Sequence, residues 1–452
     1  MMRSLYSGVA GLKTHQTRMD VIGNNIANVN TTAYKSQSMT FSDLMYQTTQ
    51  AASGANPTTG VGGTNARQIG LGAKTSAIKT AITTQGASQT TNDPFDIMIT
   101  GDSFFIVNNG QNNYFTRDGS FYVDGAGNLA MTSTGYNVMG WQVDPNDASA
   151  IKQDTVSALR VMTTENMTYP PEATKSARIS GIIDKNDTNV NATAGKIMNL
   201  EFYDNQGYKY TAKLSVHSTK TEGQFTVQLD DILDSKGKTV LADPTKASLQ
   251  QNNTNITAPV VLEFNTNNGS FKNVGKTGET ESTLTLHFDT GTFPSFSDIT
   301  IDFSNCSNLN NNGSSTVSPI RGDAKGNGAG RKVGEMSGID IQKDGMIYAN
   351  YDNGCSRLLG QIAVATFANA SGLAKEGDNL YSATQNSGDF DGIGTDITTG
   401  GGYMNTGVLE MSNVDLSSEF TEMITTQRGF QANSRIITVS DTLLEELTNL
   451  KR

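Results

Sequence analysis

The segment that most constrains the fold is the last one, Val414 to Arg452. Its apolar residues return at alternating steps of four and three, which places them along one side of a helix and is the seam pattern of a coiled coil. Asp415 stands where it can cap the first turn. Because polar residues interrupt the stripe, we expect this helix to need a partner. The first stripe comprises Leu416, Phe420, Met423, Phe430, Ile437 and Leu444, and a second stripe in the later half comprises Ile436, Val439, Leu443, Leu447 and Leu450.

The beginning of the chain carries a matching pattern. Gly8, Gly11 and Gly23 weaken a helix there by about 1 kcal/mol each relative to alanine, but glycine also lets a second backbone approach closely. We expect the two terminal helices to pair as a coiled coil that closes the chain ends into one arm. The alternative is that each helix packs separately on a globular core. The N-terminal stripe comprises Leu5, Val9, Leu12, Met19, Ile22, Ile26 and Val29.

Length and composition limit the class of protein. A chain of 452 residues is expected to form several domains, since single cores rarely exceed about 250–300 residues. Only 36% of the residues are hydrophobic and 17% are charged, and the abundance of Thr, Ser, Asn and Gly is typical of short strands and turns. The net charge of −11, with scattered basic residues, argues against nucleic acid as a partner, because phosphate binding needs clustered Lys and Arg.

The apolar runs, the N-terminus and the cysteines of the chain bear on membrane insertion, secretion and redox chemistry. No apolar run approaches the roughly 20 residues that span a bilayer, so we expect no membrane insertion. The N-terminus lacks the unbroken apolar core of a cleavable secretion signal. Cys306 and Cys355 are too few for a disulfide framework or a zinc site, and one bond between them is the most that they can form.

Between the terminal helices the sequence predicts β structure. Asp118-Gly119, which separates two aromatic runs, and Asp124-Gly125, which follows the second run, predict hairpin turns. Alternating apolar residues, as in Tyr208–Val216, predict half-buried strands with one wet face. Long Asn- and Gly-rich loops separate the strands between about 149 and 326, and we expect an antiparallel sandwich or barrel inserted within the first β domain.

The predicted fold class is therefore α+β and mainly β, with paired terminal helices, a discontinuous inner β domain and an inserted outer β sandwich or barrel. The expected division is a terminal helical assembly domain at 1–50 plus 403–452, an extended connector at 51–75 plus 372–402, an inner β domain at 76–148 plus 327–371, and an outer β domain at 149–326.

No constellation for catalysis or for a cofactor or metal stands out in the sequence. The three histidines, His15, His217 and His287, are far apart, and a lone His is usually a surface or satisfied polar residue. No metal-binding, nucleophile-elbow or phosphate-loop motif is present. We expect that the protein is not an enzyme and that it binds no cofactor. A carbohydrate-active enzyme remains an alternative with little support, because a sugar cleft usually wants aromatic platforms and the chain has a single Trp.

Several segments in order resemble bacterial flagellar rod and hook proteins. Val21–Lys35 is similar to their N-terminal signature, and Ser412–Phe420 with Gln427–Asn433 is similar to the C-terminal counterpart. Tyr114–Phe121 and its neighbours resemble the first β domain of the same axial protein family. The signature residues carried over are Asn24, Asn25, Asn28 and Lys35.

Within that family, the large insertion resembles the hook protein. The stretch Met45–Gly72, in contrast, is longer than in compact hook proteins and is similar to an extra stretch of the distal rod protein. The distal rod protein of the basal body therefore remains an alternative. A secreted β-rich adhesin with a coiled-coil stalk is the alternative from another class.

The resemblance implies a mechanical function rather than a chemical one. It implies a structural subunit that self-assembles into a curved helical tube, which acts as a universal joint and passes motor torque to the filament. It also implies export through the flagellar apparatus without a cleaved signal, location in the hook outside the cell, and contacts with the distal rod protein, the hook cap and the hook–filament junction proteins. Both arms are expected to order fully only when neighbouring copies complete the coiled coil.

Overall fold

The computed structural model of the protein describes residues 2–54, 60, 62–145, 147–241, 246–251, 254–255, 260–275 and 281–450. These residues form two compact units. The first comprises the described residues of Met1–Thr163, Ile339–Ala349 and Arg357–Arg452, and the second comprises those of Thr164–Gly338 and Asn350–Ser356. The chain therefore leaves the first unit after Thr163 and re-enters it at Ile339. The short segment Asn350–Ser356 belongs to the second unit again.

Two long helices lie at the ends of the chain, as the apolar spacing predicts. Helix α1 is Met2–Ala27 and helix α2 is Leu416–Asn449, the latter with 34 residues. The Asp415 side chain accepts hydrogen bonds from the backbone N–H groups of Ser417 and Ser418, which satisfies donors that the first turn leaves unpaired. The predicted cap is confirmed.

The strands up to Thr163 are β1 Gln37–Asp43, β2 Tyr46–Gln50, β3 Arg67–Gly70, β4 Ala73–Thr80, β5 Ser88–Thr90, β6 Ile97–Ile99, β7 Phe104–Asn108, β8 Asn113–Thr116, β9 Phe121–Val123, β10 Leu129–Met131, β11 Asn137–Asp144, β12 Asp147–Ile151 and β13 Ser157–Ala158. The strands that follow are β14 Thr168–Tyr169, β15 Ser176–Ile182, β16 Lys196–Tyr203, β17 Lys209–Ser218, β18 Gln224–Asp234, β19 Ala247–Gln251, β20 Thr254–Asn255, β21 Val260–Phe264, β22 Phe271–Gly275, β23 Thr283–Phe288, β24 Ile299–Ser307 and β25 Ser318–Arg321. The last part of the chain holds β26 Gly334–Ile341, β27 Met346–Tyr351, β28 Ser356–Ile362, β29 Val364–Ala365, β30 Ala374–Gly377, β31 Leu380–Ser382, β32 Met404–Thr406 and β33 Val408–Glu410, with short 3₁₀ helices at Ala370–Gly372 and Ile397–Gly400.

The sheet of the first unit runs in the order β28-β11-β7-β8-β31-β30, with antiparallel neighbours. Its core contains Phe104, Phe115 and Trp141, all nearly inaccessible to water. The indole N–H of Trp141 donates to the carbonyl oxygen of Ile393 at 2.9 Å, so the one Trp of the chain is a core residue with a satisfied donor.

A separate ribbon of strands accompanies α1. Strands β1 and β4 pair antiparallel, and the Phe41 ring of β1 meets the His15 ring of α1 with centroids 5.6 Å apart. Among the described residues, strands β2 and β3 pair with each other, and all their residues are exposed. These two strands continue the chain beyond β1 and before β4.

The second unit is a β sandwich. One sheet has the order β20-β19-β23-β24-β15-β25 and the other β16-β17-β18-β21-β22. Every pairing is antiparallel except that of β15 with β24. Aromatic side chains of both sheets, including Phe202 and Phe288 with ring centroids 5.5 Å apart, share one core. The inserted sandwich that the alternating pattern predicts is confirmed.

The two predicted Asp-Gly turns have different outcomes. Strands β9 and β10 form a hairpin around Asp124, whose side chain accepts the N–H groups of Ala126 and Asn128. The hairpin predicted at Asp118-Gly119 is wrong, because β8 pairs with β7 and β31 whereas β9 pairs with β10. At that position the backbone closes on β6 instead: the carbonyl oxygen of Gly119 accepts the N–H of Ile97 at 2.9 Å.

Candidate assembly site at the paired chain ends

Helices α1 and α2 lie side by side and antiparallel. The Ser4 Oγ lies 3.5 Å from the Ser440 Oγ. Further along α1, Arg18 Nη2 lies 2.9 Å from Glu422 Oε2. Because residue numbers rise along α1 while those of the contacted residues fall along α2, the chain ends are paired in opposite directions. The predicted pairing of the terminal helices is confirmed.

The surfaces that touch consist largely of small and polar side chains. A Cβ atom on Gly11 would lie 2.8 Å from Asn433 Nδ2, and one on Gly429 would lie 2.6 Å from His15 Cε1. Thr426 of α2 is buried in the same stripe, because it lies three residues before Gly429 and seven before Asn433, on the same side of the helix. Glycine at these positions is what allows the two backbones to approach closely.

In contrast, the second apolar stripe of α2 and three apolar residues near the start of α1 are left outside the pair. The second stripe of α2 is exposed throughout, from 45% for Ile436 to 81% for Leu450. Met2, Tyr6 and Val9, which recur at helical spacing on α1, are exposed by more than half. Since the helices are antiparallel, these residues of α1 lie along the part of α2 that carries the exposed stripe. We call these eight side chains, Met2, Tyr6, Val9, Ile436, Val439, Leu443, Leu447 and Leu450, the outer apolar surface.

The predicted assembly residues fall into three groups in the subunit. Ile22 is buried. Leu5, Leu12, Met19, Ile26, Val29, Met423, Phe430, Ile437 and Leu444 are half-buried. Val9, Leu416, Phe420, Leu443, Leu447 and Leu450 are exposed. Ile437 is brought to the pairing surface, where a Cβ atom on Gly8 would lie 3.1 Å from its Cγ1. The role of the whole set in assembly stays a prediction.

The signature asparagines lie at the end of α1. Asn25 is fully buried, and its side-chain amide donates to the Gln37 carbonyl and to Glu419 Oε1, both at 2.8 Å. Its oxygen accepts the N–H of Gln37 at 2.9 Å. Asn28 Nδ2 donates to the carbonyl oxygen of Asn24 at 2.9 Å. Asn25 therefore joins α1, the start of β1 and the first turn of α2.

Lys35, the fourth signature residue, is part of a buried charge cluster that also contains Glu410 and Arg117. Lys35 Nζ lies 2.7 Å from Glu410 Oε1, and both side chains are 0% exposed. The same ammonium group donates to the Thr84 carbonyl at 2.7 Å, and Gly86 N–H donates to Glu410 Oε1 at 2.8 Å. Arg117 Nη1 lies 3.9 Å from Glu410 Oε2. We call Lys35, Arg117 and Glu410 the Glu410 cluster.

The Glu410 cluster directs two cations at one carboxylate. Burial lowers the pKa of Lys35, and the attraction of Glu410 opposes that shift. Arg117 has further partners, since its Nη2 donates to the Gly101 carbonyl at 2.6 Å and its guanidinium lies 5.0 Å from the centre of the Phe104 ring. Removing one partner of such a buried pair leaves an uncompensated charge, which destabilises proteins by about 3–5 kcal/mol.

No role for Glu410 or Arg117 is predicted from the sequence. A signal was available at each: Arg117 follows a buried aromatic strand, and Glu410 ends the short run Val408-Leu409-Glu410. An isolated charge in an apolar strand is often a buried and paired one. Nothing in the sequence indicates that these two charges meet Lys35, because the three residues come from distant segments.

We expect His15 to make the paired helices sensitive to pH. Burial, and next the neighbouring Arg18, lower the pKa of His15 from 6.5, and its Nδ1 has no hydrogen-bond partner. A base whose pKa is lower in the folded state than in the unfolded state binds fewer protons when folded, so stability falls as the pH drops below the unfolded pKa. We expect the protection factors of the α1 amides, which are corrected for the intrinsic pH dependence of exchange, to be smaller at pH 5 than at pH 7.5. The variant His15→Gln, measured by hydrogen exchange, is expected to remove this difference, and an unchanged pH dependence would contradict it.

Among the other titratable and nucleophilic side chains in the described part of the chain, a trio of Ser215, His217 and Asp230 and two cysteines stand out by their contacts. Among the residues that the structure describes, no three His, Cys, Asp or Glu side chains group closely enough to hold a metal ion. Ser215 Oγ lies 3.0 Å from His217 Nε2 and donates to Asp230 Oδ1 at 2.9 Å. Ser215 is 0% exposed and its hydroxyl faces the carboxylate directly, so this trio is a polar cluster across strands rather than a nucleophile with its base. Cys306 and Cys355 are both buried free thiols.

No helix in the described part of the chain is long and apolar enough to cross a membrane.

Three family models match successive parts of this chain. The model described as "Flagella basal body rod protein" matches residues 5–35, which cover most of α1 and Lys35. "Flagellar hook protein FlgE/F/G D1 domain" matches residues 98–180. "Flagellar basal body rod FlgEFG protein C-terminal" matches residues 405–450, which include Glu410 and α2.

Full-length relatives extend these matches to the whole chain. The flagellar hook protein FlgE of Borreliella burgdorferi is 37% identical over 470 residues, with 100% of both chains covered. That of Treponema pallidum is 35% identical over 487 residues, again with 100% of both covered. The flagellar basal-body rod protein FlgG of Bacillus subtilis is 29% identical over 452 residues and is likewise covered in full. On this full-length similarity, the chain belongs to the flagellar hook protein FlgE family.

Proposed function

We propose that this chain is the structural subunit of the flagellar hook and polymerises into a curved helical tube that serves as a universal joint between motor and filament. Two full-length relatives carry the name of the hook protein, which supports the hook over the distal rod, whose relative is less similar. In this proposal the protein works by mechanical linkage and not by catalysis.

The observation that carries the proposal is the outer apolar surface. The contacts between α1 and α2 within one subunit involve mainly small and polar side chains together with Ile437, whereas eight large apolar side chains face water at the same end of the pair. An exposed apolar stripe of this kind marks a protein interaction site. A second copy of the chain offers the complementary surface, because every copy carries the same stripes at helical spacing.

The helical pair by itself has little apolar area to hold it together. Its seam buries glycine, threonine and serine rather than leucine, and long helices without a packed apolar face are marginal in water. Neighbouring subunits that cover the outer apolar surface supply the missing burial. The arms then become rigid on assembly, which favours growth at the tip of an existing tube over association of free subunits.

The location and partners follow from the hook role. The subunit is exported through the flagellar apparatus without a cleaved signal and lies in the hook, outside the cell. Many copies of the chain are its main partner. The tube joins the distal rod protein at one end, is capped during growth, and meets the hook–filament junction proteins at the other end.

The direct test is polymerisation of the purified chain with and without residues 443–452. The full chain is expected to form tubes that are visible by negative-stain electron microscopy and that pellet on ultracentrifugation. The truncated chain is expected to stay soluble with intact β units, because it loses Leu443, Leu447 and Leu450 of the outer apolar surface. A β-rich adhesin would instead sediment as a discrete trimer, and tubes formed by the truncated chain would contradict the assembly site proposed here.

A further inference from the structure

We propose that the Glu410 cluster is a latch in the unassembled subunit. It holds the end of α1 and the start of α2 together, at what we call the base of the helical pair, so that both helices reach the polymer as one aligned pair. This inference rests on the proposed hook function, because it concerns how the same helices are presented for assembly. It assigns a role to buried charges that the coiled-coil contacts do not use.

The latch lies where the chain enters and leaves the helical pair. Lys35 follows α1 after the turn that ends it, and Glu410 precedes α2. Backbone bonds join the same two segments: Ala33 N–H donates to the Glu410 carbonyl at 2.8 Å, and Ser36 N–H donates to Asn413 Oδ1 at 2.7 Å. The path out of α1 and the path into α2 are therefore tied to each other directly.

The latch is also anchored in the inner β structure. Asn413 Nδ2 donates to the carbonyls of Ala81 and Thr84, both at 3.0 Å. A Cβ atom on Gly86 would lie 1.9 Å from the carbonyl oxygen of Met411, so only glycine lets the segment before α2 lie this close. Arg117 reaches Glu410 from the end of β8. Three parts of the chain thus converge on one carboxylate.

The backbone at Ala33, within the latch, has a conformation that is unfavourable for a residue with a Cβ atom. Ala33 has a φ of 53° and is 1% exposed. A residue with a Cβ atom occupies this left-handed region only when its surroundings impose it. The hydrogen bond from Ala33 to the Glu410 carbonyl is one of the contacts that impose it. The turn after α1 therefore depends on the segment that carries Glu410.

The two ends of the helical pair differ in burial, and this difference predicts which end stays ordered in the free subunit. At the base, Asn25, Lys35 and Glu410 are 0–2% exposed, whereas at the far end Leu447 is 49% and Leu450 is 81% exposed. Local opening follows burial and hydrogen bonding. In the free subunit we expect order to persist at the base while the far ends of α1 and α2 fray.

Hydrogen exchange of the dilute, monomeric full chain tests the latch. In the unaltered protein the amides of Ala33, Ser36 and Gly86 are expected to be as protected as those of β7, and the amides of Val439–Asn449 to exchange fast. Glu410→Gln is expected to raise exchange at Ala33 and Ser36 by about 100-fold or more, because it leaves buried cations uncompensated, and to raise the concentration needed for tube formation. Glu422→Gln is the matched control, since its pair with Arg18 is partly exposed and such pairs contribute little.

Lys35→Met keeps the proposal testable where Glu410→Gln unfolds the inner β structure. It retains the Glu410 contacts to Arg117 and Gly86 and is expected to free Ala33 and Ser36 while β7 stays protected. Wild-type protection at these amides in both variants, or loss of β7 protection in both, would overturn the latch. If the unaltered chain formed no tubes while its latch amides were protected, the hook proposal would fail instead and the latch would stand.

Discussion

Replacing both Val439 and Leu443 by Asp is expected to abolish tube formation and to leave the melting temperature of the subunit nearly unchanged. In the subunit these side chains are 57% and 49% exposed, so their removal costs few contacts. In a polymer they would be buried, and each buried apolar side chain of this size contributes about 1.5–3 kcal/mol. Two such losses, together with the burial of two carboxylates, raise the concentration for assembly by more than about 100-fold.

The matched control for this variant is Thr442→Asp. Thr442 is exposed on α2 beside Leu443 but lies on the polar side of the helix, one residue and therefore about 100° away. It introduces one carboxylate, against the two of the double variant, in the same part of α2 without removing apolar surface. Pelleting and electron microscopy report assembly, and circular dichroism reports the melting temperature. Tubes formed by Val439→Asp/Leu443→Asp at wild-type concentration would show that the second stripe is not an assembly surface.

The terminal helices show how much of the fold the sequence predicts. Spacing alone predicts that α2 is a long helix, and the structure ends it at Asn449, one residue before the last stripe residue, Leu450. Spacing also predicts that the terminal helices pair. It does not predict which side of α2 meets α1, because apolar residues lie on two stripes and the pairing side is the one with Gly429 and Asn433.

The β units show a similar limit. The alternation of Tyr208–Val216 predicts strand β17 and its buried side, because burial of one face follows directly from the period of two. The turn at Asp118-Gly119 was predicted as a hairpin from its residues, but tertiary contacts outweigh local preference there. Asp118 is 4% exposed and accepts the N–H of Ser120, so it serves a buried corner between two different strand pairs.

The Glu410 cluster lies beyond prediction from one sequence for a different reason. The family signature includes Lys35, but the other two residues of the cluster come from a segment in the first third of the chain and from one near its end. Propensity and periodicity describe neighbours within about two helical turns, whereas this cluster depends on the fold bringing 35, 117 and 410 together. Buried ionic contacts of this kind are visible only once the topology is known.

The glycines of the helical seam yield the second large effect. Replacing Gly429 by Leu is expected to separate α1 from α2 and to prevent tube formation. Leucine raises helix propensity relative to glycine by somewhat less than 1 kcal/mol, which alone would stabilise α2. However, a Cβ atom at this position would already lie 2.6 Å from the His15 ring, and that ring is also in edge contact with Phe41. The imidazole cannot simply move away, so the helices must.

Gly23→Ala is the control that reverses the sign. A Cβ atom on Gly23 meets nothing within 4 Å, so only the gain in helix propensity of about 1 kcal/mol remains. This variant is expected to slow amide exchange in α1 and to assemble normally, whereas Gly429→Leu is expected to speed exchange over Leu12–Thr17 and to stay soluble. Equal behaviour of the two variants would mean that the seam tolerates side chains and that α1 and α2 are held together elsewhere. Opposite behaviour would instead show that position 429 requires glycine because the two helices approach closely there. Helix propensity alone predicts slower amide exchange for both variants.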